Sequence, residues 1–72
     1  MPNMSSRDLE ASYRMMLSRL EQAHADALRL AQGGYGEGLD LLAAGLEGTI
    51  AAARSIRDDA AKKYGFTPRK GL

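Results

Sequence analysis

The sequence predicts an all-α protein: an antiparallel hairpin of two long helices that associates with a second hairpin in a four-helix bundle. Three observations support this. Two long stretches place apolar residues at alternating spacings of three and four, which is the helical period. A glycine-rich segment, AQGGYGEGLD at 31–40, lies between them. Valine is absent and other β-branched residues are rare, so a sheet would lack the residues that strands favour.

Length and composition indicate one small domain spanning 1–72. A chain of 72 residues buries only about 60% of its unfolded surface and is marginally stable alone. Because the chain has no cysteine, disulfides and thiolate metal sites are excluded, and we expect oligomerisation to add stability. The net charge of +1 argues against a protein built mainly to bind nucleic-acid phosphates.

The chain also lacks the usual signals for export or membrane insertion. Its start, MPNMSSRDLE, has no apolar segment of the kind found in secretory signals. No apolar run approaches the roughly 20 residues that span a bilayer. We therefore expect a cytoplasmic protein that does not enter a membrane.

The first helix is predicted over about 5–32. Ser5 and Asp8 form an S-x-x-D pattern, in which the Ser5 hydroxyl caps the helix and Asp8 favours its positive end. Nothing between Ser6 and Gln32 breaks a helix. Its apolar stripe is predicted to form the core or dimer seam and comprises Leu9, Tyr13, Met16, Leu20, Ala23, Ala27 and Leu30.

The glycine-rich segment predicts a tight turn over 33–38. A phosphate-binding loop is disfavoured because a helix, not a strand, precedes the glycines and Glu37 would repel phosphate. Gly33 or Gly34 can adopt the left-handed conformation that ends a helix. Tyr35 has two interpretations: it folds back over the end of the hairpin, which we favour, or it anchors a partner protein.

The second helix is predicted over about 38–64, followed by a basic tail at 65–72. Gly65 suits the end of the helix, Phe66 is expected to pack back, and Pro68 prevents continuation. The predicted seam is widened on one flank by Ala43, Ile50 and Tyr64, and comprises Leu39, Leu42, Leu46, Thr49, Ala53, Ile56 and Ala60.

Gly45 and Gly48 conflict with the second helix, because each glycine costs about 1 kcal/mol against alanine in a helix interior. One explanation is a break in the helix. The explanation we favour is a small-residue face, completed by Ala52, against which another helix packs.

The apolar surface is wider than one helix–helix seam requires, so the sequence predicts a homodimer. The predicted architecture resembles the Rop-like plasmid copy-control bundles and the αα-hairpin co-chaperones of type III secretion. It also resembles the WXG-type secreted hairpins, although their turn tryptophan is absent. No residue roles are carried over from these groups.

One constellation could support metal chemistry. Glu21 and His24 form an E-x-x-H pattern, which supplies ligands in di-iron bundles, and Glu47 is expected at nearly the same height on the other helix. However, these residues lie on the flank of the stripe, where Arg54 and Arg57 would compete for the carboxylates. The favoured prediction is no metal and no other cofactor.

The predicted function is a non-enzymatic protein–protein interaction module, such as an adaptor, regulator or inhibitor. The alternatives are a Rop-like nucleic-acid-binding bundle and, less favoured, the dinuclear metal bundle. Nucleic-acid contacts would come from Arg14, Arg54, Arg57, Lys62, Lys63, Arg69 and Lys70. The predicted partner-binding residues are Tyr35, Gly45, Gly48, Ala52, Phe66, Arg69 and Lys70.

Overall fold

The chain forms the predicted helical hairpin. The computed structural model describes residues 4–68, so Arg69 and Lys70 of the predicted partner-binding set lie outside the described residues. Helix α1 (Ser6–Gln32) and helix α2 (Leu39–Tyr64) pack against each other. Their bounds lie within one residue of those predicted, and α2 continues unbroken through Gly45 and Gly48. Within the described residues, no helix is long and apolar enough to cross a membrane.

Helix α1 begins with the predicted cap. Ser5 has extended backbone angles, and its hydroxyl oxygen accepts a hydrogen bond from the Asp8 backbone N–H at 3.2 Å. The adjacent Ser6 hydroxyl donates to the Tyr64 carbonyl oxygen at 2.8 Å. The first turn of α1 is thus connected to the last turn of α2.

Replacing Ser5 with alanine is expected to lower the free energy of unfolding by about 1 kcal/mol, because the Asp8 N–H then loses its side-chain acceptor. Urea denaturation followed by circular dichroism would measure the change. Ser5→Asp, which keeps an acceptor oxygen, should retain the wild-type value. An equal loss in both variants would contradict the capping role.

The turn satisfies the end of α1 with its own backbone. The Gly34 N–H donates to the Ala31 carbonyl at 3.1 Å, and the Tyr35 N–H donates to the Leu30 carbonyl at 3.0 Å. This pair of bonds is a Schellman motif, which requires the left-handed conformation that Gly34 adopts at φ 73°. Gly38, at φ 78°, then begins α2.

The other end of the hairpin is closed by the segment after α2. Gly65 is left-handed at φ 73°, and its N–H and that of Phe66 both donate to the Ala61 carbonyl. The chain therefore turns back, and the Phe66 ring stacks on Tyr13 with 6.0 Å between ring centroids. The prediction that Phe66 packs back is confirmed.

The core of the hairpin is narrow and small. Among residues 4–68, only Leu17 and Ile50 of the buried residues are larger than alanine. Alanines at the contact let the two helices approach closely, but they bury little apolar area. The buried residues are Leu17, Ala27, Ala43, Ile50, Ala53, Ala60 and Ala61.

This core corrects the predicted seam. Met16, Leu30, Leu42 and Ile56 were expected inside, but they remain 39%, 46%, 54% and 56% exposed. The predicted stripe follows the middle of a wide apolar strip on each helix. The contact between the two helices buries only one edge of that strip. Each helix is therefore rotated, so that Leu17 rather than Met16, and Ala43 rather than Leu42, faces the other helix. Of the other predicted seam positions, Ile50 is buried, and Leu9, Tyr13, Leu20, Leu39 and Leu46 are half-buried.

Candidate interaction surface

One side of the hairpin is charged. Arg54 of α2 donates to Glu21 of α1 at 3.3 Å across the seam. On both helices the paired residue directly follows a seam residue, since Glu21 follows Leu20 and Arg54 follows Ala53. Residues in this position therefore share one side of the hairpin. Arg14, Asp40 and Glu47 occupy the same position along their helices.

The opposite side carries most of the exposed apolar residues that flank the seam, together with Asp26 and Asp59, which directly precede the buried Ala27 and Ala60. Residues that directly precede the buried seam residues must lie on it, as Met16 precedes Leu17 and Leu42 precedes Ala43. Further residues recur at intervals of seven on each helix, so they form two parallel rows. We call these rows the open face, which comprises Met16, Ala23 and Leu30 of α1 and Leu42, Thr49 and Ile56 of α2, all exposed.

The one hydroxyl on the open face is already satisfied. Thr49 donates its hydroxyl to the Gly45 carbonyl at 3.0 Å, within its own helix. Covering the residue would therefore leave its hydroxyl donor paired. The six residues of the open face thus carry no charge, and the exposed Lys63 follows Ile56 at the same interval of seven.

Gly45 and Gly48 both lie on the outer surface of α2. A Cβ atom added at either position would meet no atom within 4 Å, so packing within the hairpin does not require glycine there. Gly45 borders the open face because it lies three residues after Leu42 and four before Thr49. Gly48 lies in the row of Leu41, which points away from the open face. The role of Gly45, Gly48 and Ala52 in partner binding remains a prediction.

Gly48→Ala is expected to raise the free energy of unfolding by about 1 kcal/mol, because it removes backbone freedom in a helix interior without a clash. Thermal and urea denaturation would measure the gain. Gly38→Ala is the matched control, since Gly38 has a positive φ of 78° that strains any side chain. That variant should instead be destabilised, and a Gly48 variant that is also destabilised would contradict the prediction.

Tyr35 does not cover the end of the hairpin. It is 80% exposed, so the favoured interpretation from the sequence was wrong. The Schellman motif fixes the Tyr35 backbone at the tip of the turn, where its ring lies over Gly33 and a side chain at Gly33 would collide with it. Its role as a partner anchor remains a prediction.

The proposed metal ligands are not assembled. Glu21 is paired with Arg54, which confirms the expected competition for its carboxylate. Glu47 lies seven residues before Arg54, about two helical turns towards the tight turn. There it lines an open depression with His24 and Leu28. Among residues 4–68, no group of three or more histidine, aspartate or glutamate side chains could hold a metal ion.

Three of the candidate nucleic-acid contacts are engaged with carboxylates. Arg14 lies 3.7 Å from Glu10, Arg54 pairs with Glu21, and Arg57 lies 3.1 Å from Asp58. These pairs reduce the positive charge available to phosphates. Lys62 and Lys63 are exposed in the last turn of α2, where they favour the negative end of the helix.

Comparisons with known proteins identify no relative. No family model, no curated protein and no solved structure matches this chain.

Proposed function

We propose that the chain is a non-enzymatic protein-interaction module, an adaptor, regulator or inhibitor, that binds a helical surface of a partner protein through the open face. The observation that carries this proposal is the exposure of Met16, Leu30, Leu42 and Ile56 along one side of the hairpin. Contiguous apolar rows of this kind mark interaction sites on small proteins.

The shape of the open face favours a helix as the occupant. Its two rows run along antiparallel helices, and apolar residues repeat every seven positions in each row. A third helix lying along the groove between the rows would contact both, as in helix-in-groove recognition. The charged side has an open depression near the tight turn, lined by Asp40 and Glu47, and the Glu21–Arg54 pair bridges the seam farther along that side.

Site-specific photocrosslinking in cells that produce the protein would test the proposal. Benzoylphenylalanine would replace Leu42 on the open face or, as the matched control, the neighbouring Leu41, which is 79% exposed. We expect a covalent protein adduct, identified by mass spectrometry, from position 42 and little or none from position 41. The absence of any adduct at 42, and in a second series at Ile56, would overturn the proposed function.

A further inference from the structure

We infer that the occupant of the open face is a second copy of this chain, so that two hairpins pack face to face with two-fold symmetry as a four-helix bundle. This inference rests on the proposed function and names its partner. It also explains why the seam needed correction. On each helix the stripe predicted from sequence includes residues of the buried seam and residues of the open face, so its centre lies between the two. In a four-helix bundle that stripe points at the central axis, where a helix meets two neighbours at once.

The first argument is the weakness of the isolated hairpin. Five of its seven buried residues are alanine, and no large side chain among the described residues is fully buried. A partner that binds the folded hairpin would stabilise it. A second copy of the chain is present wherever the chain is made, so it can always supply this stabilisation.

The flat side of the hairpin is large enough to form a stable dimer interface. Helices of 27 and 26 residues lying side by side present a face of about 40 by 20 Å, or about 800 Å². A standard stable interface buries about 800 Å² per partner. One hairpin laid on another therefore covers an area sufficient for a stable dimer.

The third argument is self-complementarity. Bulky side chains of the open face alternate with small ones, since Ala23 lies between Met16 and Leu30, and Thr49 between Leu42 and Ile56. Gly45 and Ala52, at the edge of the face on α2, leave space for an approaching helix. The net charge of +1 produces little repulsion between two copies.

Two matched pairs of variants test the inference. Leu42→Lys places a charge on the open face, and Leu41→Lys places the same charge one residue away, on the outer surface. Gly45→Leu adds bulk at the edge of the face, and Gly48→Leu adds it away from the face. Because a Cβ atom at either glycine meets no atom within 4 Å, we expect both leucine variants to keep the packing of α1 on α2.

Native mass spectrometry and sedimentation equilibrium would measure self-association across micromolar concentrations. We expect the wild type, Leu41→Lys and Gly48→Leu to have about twice the monomer mass of 7.8 kDa. Leu42→Lys and Gly45→Leu should weaken the dimer by about 30-fold or more, which is the effect of losing a central contact. Should Leu42→Lys fail to fold, Gly45→Leu still reports on the interface, because leucine is a better helix former than glycine.

A folded monomeric wild type, or matched variants that behave alike, would overturn the second copy as occupant. Photocrosslinking then separates this failure from that of the proposed function. An adduct of the chain with itself at position 42 supports the dimer. An adduct only with another protein retains the proposed function and rejects the second copy, and no adduct rejects both.

Discussion

Leu17→Ala is expected to lower the free energy of unfolding by about 3 kcal/mol, because it removes one of the two large buried side chains among the described residues. Apart from Leu17 and Ile50, the buried residues within 4–68 are all alanines. Neighbouring alanines are too short to fill the cavity that the lost side chain leaves. A domain of 72 residues has a total stability of only about 4 to 11 kcal/mol, so the variant should lose a large share of it.

Urea denaturation at one fixed protein concentration would measure the loss, with Leu41→Ala as the control. The control makes the same chemical change at a helical position that is exposed, so helix propensity changes equally in both variants. We expect the control to remain within about 0.5 kcal/mol of wild type. Equal effects of the two substitutions would show that the core does not lie where the structure places it.

The elements of this hairpin could be predicted from sequence because their signals are local. Ser5 lies three residues before the N–H that it caps, and Gly65 directly follows the helix that it ends. The turn also follows from neighbouring residues, since Gly34 and Gly38 supply the left-handed conformations that the chain reversal needs. None of these features depends on how the two helices face each other.

The rotation of each helix about its own axis could not be predicted from sequence. Either of two adjacent rows of residues, one containing Leu17 and the other Met16, could have faced the second helix. The true seam includes Glu10, His24 and Arg57, whose charged or polar groups argued against it. The structure holds the two charged residues at half-buried positions beside a residue of opposite charge, since Arg14 lies 3.7 Å from Glu10 and Arg57 lies 3.1 Å from Asp58. The Glu10 Oε1 atom is nevertheless buried and accepts no hydrogen bond.

The candidate site follows from the same rotation. The residues of the open face all belong to the predicted stripe, so the sequence identified them as contact residues. It did not distinguish contacts with the other helix of the same hairpin from contacts with a second chain. Of the three residues expected at a similar height, His24 and Glu47 line the same depression near the tight turn. Glu21 is not part of that group, because its carboxylate pairs with Arg54.

Phe66→Ala is expected to lower the free energy of unfolding by about 2 kcal/mol, less than a fully buried phenylalanine would because Phe66 is half-buried. Its ring stacks on Tyr13, so it connects the segment after α2 to the first half of α1. Without this contact the open end of the hairpin should fray. Hydrogen exchange should therefore accelerate in the first two turns of α1 and remain slow near the tight turn.

A double-mutant cycle with Tyr13→Ala separates this closing role from the partner-binding role predicted for Phe66 from sequence. If the stack stabilises the hairpin, the two substitutions should be coupled by about 1 kcal/mol in urea denaturation. A partner anchor would show the opposite behaviour: Phe66→Ala would leave stability unchanged, and the coupling energy would be near zero. Phe66→Leu adds a further test, because it keeps apolar bulk and should recover about half of the lost stability through burial alone.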